Sequence, residues 1–271
     1  MKYQIEPIIS PIVKRIVNPI IGKNANDYSR DSSVVAVWPF NGVNPGEIFT
    51  KNIKSGFNNL VNVGDVDVIT PAIFEGSSCA LTRRLPTPRK YFSLAESLMS
   101  PDFPFKSDNS VRELTACIPL KKFPDPSDVR ILGKWSDVIS GWSFDVKQAN
   151  LPTGQDKLVA SFGHTGGTAF EELTFNGVFP ANFANEVVLL TVRINDALKS
   201  CHIRSYNVTL DSLIHDSTQN YTNNIYIGTA PFNISRLGEF YIDETMISKR
   251  IMSNAEVDEI AQKTYRRIYQ S

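Results

Sequence analysis

An all-β fold, an antiparallel β-sandwich with an extended N-terminal arm and a short C-terminal helix, is what this sequence predicts. Three observations predict it. From Val34 onward the chain is a succession of short runs rich in β-branched and aromatic residues, separated by turn residues. Many of these runs alternate apolar and polar side chains with period two, the pattern of strands buried on one side. Only one stretch, close to the C-terminus, has helical spacing, and many short strands with almost no helix make a sandwich or barrel.

Residues 1–31 stand outside that pattern and are read as an extended docking arm and linker; residues 32–271 are read as one sandwich domain. Residues 7–22 hold four rungs of one unit: Pro7-Ile8-Ile9-Ser10, Pro11-Ile12-Val13-Lys14, Arg15-Ile16-Val17-Asn18 and Pro19-Ile20-Ile21-Gly22. Each proline lacks an amide donor and fixes φ near −65°, which rules out a regular helix. Each also drives the preceding residue towards an extended conformation, and the Ile and Val residues between them favour strands. The result is a pre-extended apolar ribbon. A membrane-spanning helix needs about 20 mostly apolar residues, whereas this run is shorter, broken by proline and charged at Lys14 and Arg15. A secretory signal places its charges before the apolar run, not inside it. Two readings stay open: the ribbon docks in a groove of another subunit, or it packs as an edge strand on its own domain, where proline is tolerated.

A polar stretch from Gly22 to Ser33 has the composition of a linker. Strands are then expected at Val34–Phe40, ended by Pro39 and the Asn41-Gly42 turn pair, and at Val66–Ile69, Cys79–Thr82, Val111–Ile118 and Val129–Leu132. Further strands are expected at Gly141–Val146, Lys157–Phe162, Glu171–Phe175, Glu186–Ile194, Cys201–Val208, Asn224–Ile227 and Gly238–Ile247. The helix opens at Ser253, where Ser253 and Glu256 have capping-box spacing. Val257, Ile260, Ala261, Thr264 and Ile268 follow at spacings of three and four and make one apolar face to lay against a sheet. Lys263, Arg266 and Arg267 suit the negative end of its dipole.

The 28 basic and 28 acidic residues balance, so no global field draws the chain to nucleic acid or to an anionic membrane. Cys79, Cys117 and Cys201 are odd in number, widely spaced and without CxxC spacing, which argues against a disulfide framework or zinc site and for folding in a reducing cytosol. The sequons at Asn207, Asn220 and Asn233 are read as chance.

The last 50 residues carry a pattern beyond periodicity: Asn224–Gly228, an apolar strand ending in glycine; Gly238–Ile247, centred on Asp243-Glu244; and a short turn into the Ser253 capping box. This resembles the closing signature of concanavalin A-like, laminin-G-like jelly-roll domains. Val37–Phe40 is similar to that family's opening aromatic strand, Leu114–Ile118 to its central strand, Gly141–Phe144 to its "G-W-S-L" strand and Val187–Ile194 to its long late strand. The tryptophan-rich strand and "V-N-G" turn of the family are replaced or missing here. The resemblance implies a jelly-roll sandwich, and a fold with so many uses does not name a function. An Ile/Pro ribbon joined to such a sandwich resembles the N-terminal anchors of tailed-bacteriophage structural proteins. That implies a non-enzymatic virion protein of the capsid surface or tail, assembled in the host cytoplasm as part of a homo- or hetero-oligomer and held to other virion proteins through residues 1–30. Pro7, Ile8, Ile9, Pro11, Ile12, Val13, Ile16, Val17, Pro19, Ile20 and Ile21 are then the docking residues. The alternative function is a carbohydrate-binding or adhesion module for a host-surface glycan, with no cofactor or with calcium.

A retaining glycosidase needs two carboxylates facing each other about 5–5.5 Å apart. The E-x-D here, Glu256-Val257-Asp258, falls in the capped helix, and the neighbours Glu171-Glu172 and Asp243-Glu244 point to opposite faces of their strands. An enzyme is therefore not expected. Calcium takes six to eight oxygens; Asp65 and Asp67 are spaced to share one side of a strand or loop, with Asp243 as the third candidate ligand, against the plainer role of bonding backbone amides. His164, His202 and His215 lack ligand spacing. Gly163–Thr168 is glycine-rich but lacks the lysine and helix of a phosphate loop. Trp38 and Trp142 sit in strand patterns and are read as core, while Trp135, in the turn expected over 133–137, is the candidate sugar-stacking aromatic.

Overall fold

A computed structural model of the chain describes residues 31–40, 52–64, 66–69, 79–82, 90–122, 129–135, 141–147, 157–163, 170–179, 187–205, 209–213, 222–228 and 240–260. The strands are β1 (Val34–Trp38), β2 (Val61–Val63), β3 (Asp67–Ile69), β4 (Cys79–Thr82), β5 (Tyr91–Leu94), β6 (Glu113–Lys122), β7 (Val129–Trp135) and β8 (Gly141–Lys147). They continue as β9 (Lys157–Gly163), β10 (Phe170–Phe175), β11 (Val188–Asn195), β12 (Ser200–Arg204), β13 (Thr209–Leu213), β14 (Ile225–Ile227), β15 (Phe240–Ile242) and β16 (Thr245–Ser248). A helix, α1, occupies 254–260 at the end of the described chain.

These strands make two antiparallel sheets, the sandwich expected from the sequence. One runs β13-β12-β11-β6-β15-β4-β3, with β16 also on β6 and β1 on β16; the other runs β10-β9-β8-β7-β14-β5-β2. The inner faces enclose Trp38, Phe40, Phe92, Phe144 and Phe162, all fully buried, with Trp142 between Phe144 and Phe105 at ring-centroid distances of 5.9 and 6.2 Å. Trp38 and Trp142 are thus core residues, and the Trp38 indole donates to the Asn58 carbonyl at 2.7 Å. A second apolar cluster lies on the outer face of the first sheet, where Val257 and Ile260 of α1 and Met252 pack on Val34, Val37, Cys117, Leu189 and Met246. That is why every residue of β1 is buried: both of its faces are covered.

The strand expected over Gly238–Ile247 is split. β15 pairs with one end of β6 (Ile242 with Leu120) and β16 with the other (Met246 with Cys117). At the break Asp243 donates its amide to the Pro119 carbonyl at 3.2 Å, while its own carboxylate accepts the Glu244 amide at 2.7 Å. A short polar side chain that bonds its neighbour's backbone competes with the ladder, and Pro119 has no amide to offer. Strands β2, β5 and β13, of three to five residues, are additions to the strands expected from the sequence.

One loop is pinned with unusual thoroughness. Asn58 adopts φ +59°, tolerable for asparagine, and its side chain donates to the Val35 carbonyl and accepts the Ser100 amide. Asn52 accepts the Val37 amide and donates to the carbonyls of Val35 and Phe57. Residues 52–60 are thereby riveted to β1 and to the turn after β5.

Candidate functional site

The outer faces of the two sheets differ in what they leave open. On the first sheet, Arg193 of β11 and His202 of β12 are register partners, so their side chains share the outer face. The segment entering α1 is strapped across the same face: Thr115 accepts the Met252 amide at 3.0 Å and donates to the Arg250 carbonyl at 2.8 Å, and Arg193 donates to the Met252 carbonyl at 3.0 Å. Between strap and strands lies an open groove of about 420 Å³, lined by Arg193, His202, Ser253, Asn254 and Glu256 together with Ile251 and Met252.

The rim of this groove is electrostatically fixed. The capping box forms as its spacing predicts: the Ser253 amide and hydroxyl donate to Glu256 Oε2 at 2.7 and 2.8 Å, and the Glu256 amide donates back to Ser253 Oγ at 3.3 Å. Arg250 grips both oxygens of Glu256 (2.6 and 3.1 Å), and also bonds Asp31 Oδ2 at 2.9 Å and Ser33 Oγ at 2.9 Å. The Arg250 guanidinium, then the Ser253 amide and hydroxyl, hold the Glu256 carboxyl down at about 2, and the same bond to Glu256 raises Arg250. Glu256 therefore stays an ionised acceptor at any physiological pH. Asp258, the other half of the E-x-D, is ion-paired with Arg204. Neither carboxylate is placed as an acid or base opposite the other.

On the second sheet the register puts Trp135 and Gly133 of β7, Ser143 and Asp145 of β8, Ser161 of β9 and Tyr226 of β14 on one outer face with Arg130. Here the polar groups are closed in. Arg130 and Asp145 are an ion pair at 2.7 Å with both side chains almost completely buried, and Ser143 donates to the same carboxylate at 3.2 Å. Glu172 faces this side two strands away from Asp145, since it pairs with Ser161, and Ser161 with Ser143. Two strand spacings make about 10 Å, and Asp145 is already neutralised by Arg130. No opposed carboxylate pair forms here among the described residues.

The residues singled out in the sequence fall as follows. Pro7 to Ile21 of the arm, Asp65, His164 and His215 lie outside the described residues. Trp135 ends β7 instead of sitting in a turn, half-buried and paired with Gly141. Gly141 has φ +98°, and a Cβ there would lie 1.8 Å from the Lys134 carbonyl oxygen, so glycine alone closes this strand pair. Asp67 lies in β3, which β4 separates from β15, while Asp243 is buried and bonds the Glu244 amide. No group of three or more His, Cys, Asp or Glu that could hold a metal gathers among the described residues. Cys117 and Cys201 are buried free thiols, and burial pushes the Cys117 thiol up to about 12. Sequence reasoning missed the groove, because Arg193, His202 and Asn254 come together only through strand pairing and the strap; the capping box was the one local signal that marked its rim.

The sequence matches no protein-family model and no curated protein. Among solved structures it is similar to the binding domain of botulinum neurotoxin DC in complex with SialylT, with TM-score 0.60 and 11% identity, over 86% of this chain and 52% of that one. It is also similar to a structure of botulinum neurotoxin type C, whose cell entry depends on interaction with two ganglioside molecules (TM-score 0.61, 13% identity, 86% of this chain and 51% of that one). A third likeness is to the binding domain of Paraclostridial Mosquitocidal Protein 1 (TM-score 0.58, 14% identity, 84% and 51%). The chain spans about half the length of these structures. At such identities the likeness establishes the architecture: this chain folds as the kind of β-sandwich found within those toxin binding domains.

Proposed function

We propose that this protein is a non-enzymatic binding module that holds a surface carbohydrate in the groove between β11, β12 and the start of α1. The observation that carries the reading is the groove's lining. Arg, His, Asn, Ser and Glu present donors and acceptors beside the apolar Ile251 and Met252, and a site of this make-up suits a ligand with an apolar ring face and a rim of hydroxyls. The sandwiches it resembles belong to binding domains, two of them described with a sialyl ligand or gangliosides. Half of each of those chains has no counterpart here, so their support is for the class of function, not for a shared sugar site. A glycan array probed with the full chain, with and without a calcium chelator, tests the reading. Binding to a defined set of glycans is expected; no binding in either condition rules it out, and binding lost with chelator assigns calcium a part.

The Ile/Pro ribbon favours a second reading, a virion structural protein held to its neighbours by residues 1–31. Incorporation into particles unaffected by loss of residues 1–24 would rule that out.

A further inference from the structure

Met252 is held at both ends of its backbone by two residues that face each other across a strand pair. Its amide donates to Thr115 Oγ1 at 3.0 Å, and its carbonyl accepts Arg193 Nη1 at 3.0 Å. Thr115 of β6 and Arg193 of β11 are register partners, so their side chains stand side by side on one face of the sheet. Thr115 is also the register partner of Ser248, the last residue of β16. The chain bends at residues 249–250 directly afterwards and returns over the same threonine, whose hydroxyl donates to the Arg250 carbonyl at 2.8 Å. A hydroxyl can donate and accept at a single atom, and here it closes both sides of that return.

Thr115 is fully buried and does not line the groove, whereas Arg193, Ile251 and Met252 do. Its branched Cβ restricts χ1, so the hydroxyl keeps one aim. Without that hydroxyl the Met252 amide is left buried and without its acceptor, which is costly, and the strap must shift to relieve it. The Arg193 guanidinium would then lose the carbonyl that orients it at the groove wall. We propose that Thr115 is a positioning residue for the groove: through Met252 it fixes the strap against β11 and the aim of Arg193, and so sets the affinity for a carbohydrate it does not touch. This inference rests on the carbohydrate reading of the groove.

Two substitutions in the full chain test it. Thr115→Val keeps the shape of the side chain and removes the hydroxyl; Thr115→Ser keeps the hydroxyl. In Thr115→Val the Met252 amide is expected to exchange with deuterium ~10-fold faster than in the parent chain. The glycans bound on the array should then need about 3- to 10-fold more protein for half-saturation, measured well below the unfolding midpoint. Thr115→Ser is expected to match the parent in both measurements, and a serine variant as weak as the valine variant overturns the proposal. So does unchanged Met252 exchange in Thr115→Val. Parent-like array binding in Thr115→Val with a lowered unfolding midpoint overturns it too, because a purely structural threonine would move the midpoint alone. A parent chain that binds no glycan overturns the carbohydrate reading and this inference with it, whereas a binding parent with no loss in Thr115→Val overturns this inference only.

Discussion

The outer faces of the two sheets use charged residues in opposite ways. On the second sheet Arg130 and Asp145 are buried together at 2.7 Å with Ser143 completing the carboxylate's bonds. On the first, Arg250 and Glu256 pair at 2.6 Å while both remain more than one-third exposed, on the rim of an open groove. A buried pair is strongly coupled, because removing one partner strands a charge in a medium that cannot solvate it. An exposed pair contributes little to stability. What it does here is position: it fixes the strap and the first turn of α1 over Arg193 and His202. Charge in the second face is paired and sealed, whereas charge at the rim of the first frames an open groove.

Substitutions can break this contrast, beginning where the effect is largest. Asp145→Ala is expected to lower unfolding free energy by about 3–5 kcal/mol in urea titration, because Arg130 is left uncompensated. The double variant Arg130→Met/Asp145→Leu should recover most of that loss. A single variant costing under about 1 kcal/mol would mean the pair is solvated. Ile260→Ala, in the apolar contact of α1, should cost about 2 kcal/mol or more and raise amide exchange in residues 252–260 ahead of the core strands. Ser253→Ala removes the capping hydroxyl and should cost about 1 kcal/mol, read as a small shift in the unfolding midpoint. The smallest effect is that of pH. The Glu256 carboxyl sits at about 2 in the folded chain against an ordinary 4.5, so its contribution is fully present above about 4.5 and fades as pH falls towards 2. Glu256→Gln should remove that part of the acid dependence, and by little, since the side chain is 42% exposed.

Much of the fold was legible because its signals are local. The Ser253–Glu256 spacing foretold a cap that forms with all three of its bonds, and the short runs Lys157–Phe162 and Glu171–Phe175 foretold β9 and β10 almost to the residue. What was not legible depends on partners distant in sequence. The split between β15 and β16 needs the Pro119 carbonyl across the sheet. Trp135 was expected in a turn, yet β7 runs on to meet Gly141, where only glycine allows the approach to Lys134. The groove is the extreme case: Arg193, His202 and Asn254 have no common motif, and only the Thr115 and Arg193 bonds to the strap bring them to one place.

If the first sheet's groove, and not the second sheet's aromatic face, takes the ligand, substitutions in the two places have separable effects. Isothermal titration with a glycan selected from the array, comparing the parent chain with Asn254→Ala, His202→Ala and Trp135→Ala, tests it directly. Each groove variant should bind about 3- to 10-fold more weakly, the loss of one hydrogen bond, with unfolding midpoints preserved and Trp135→Ala unchanged. Full affinity in both groove variants, with binding lost in Trp135→Ala, would contradict it.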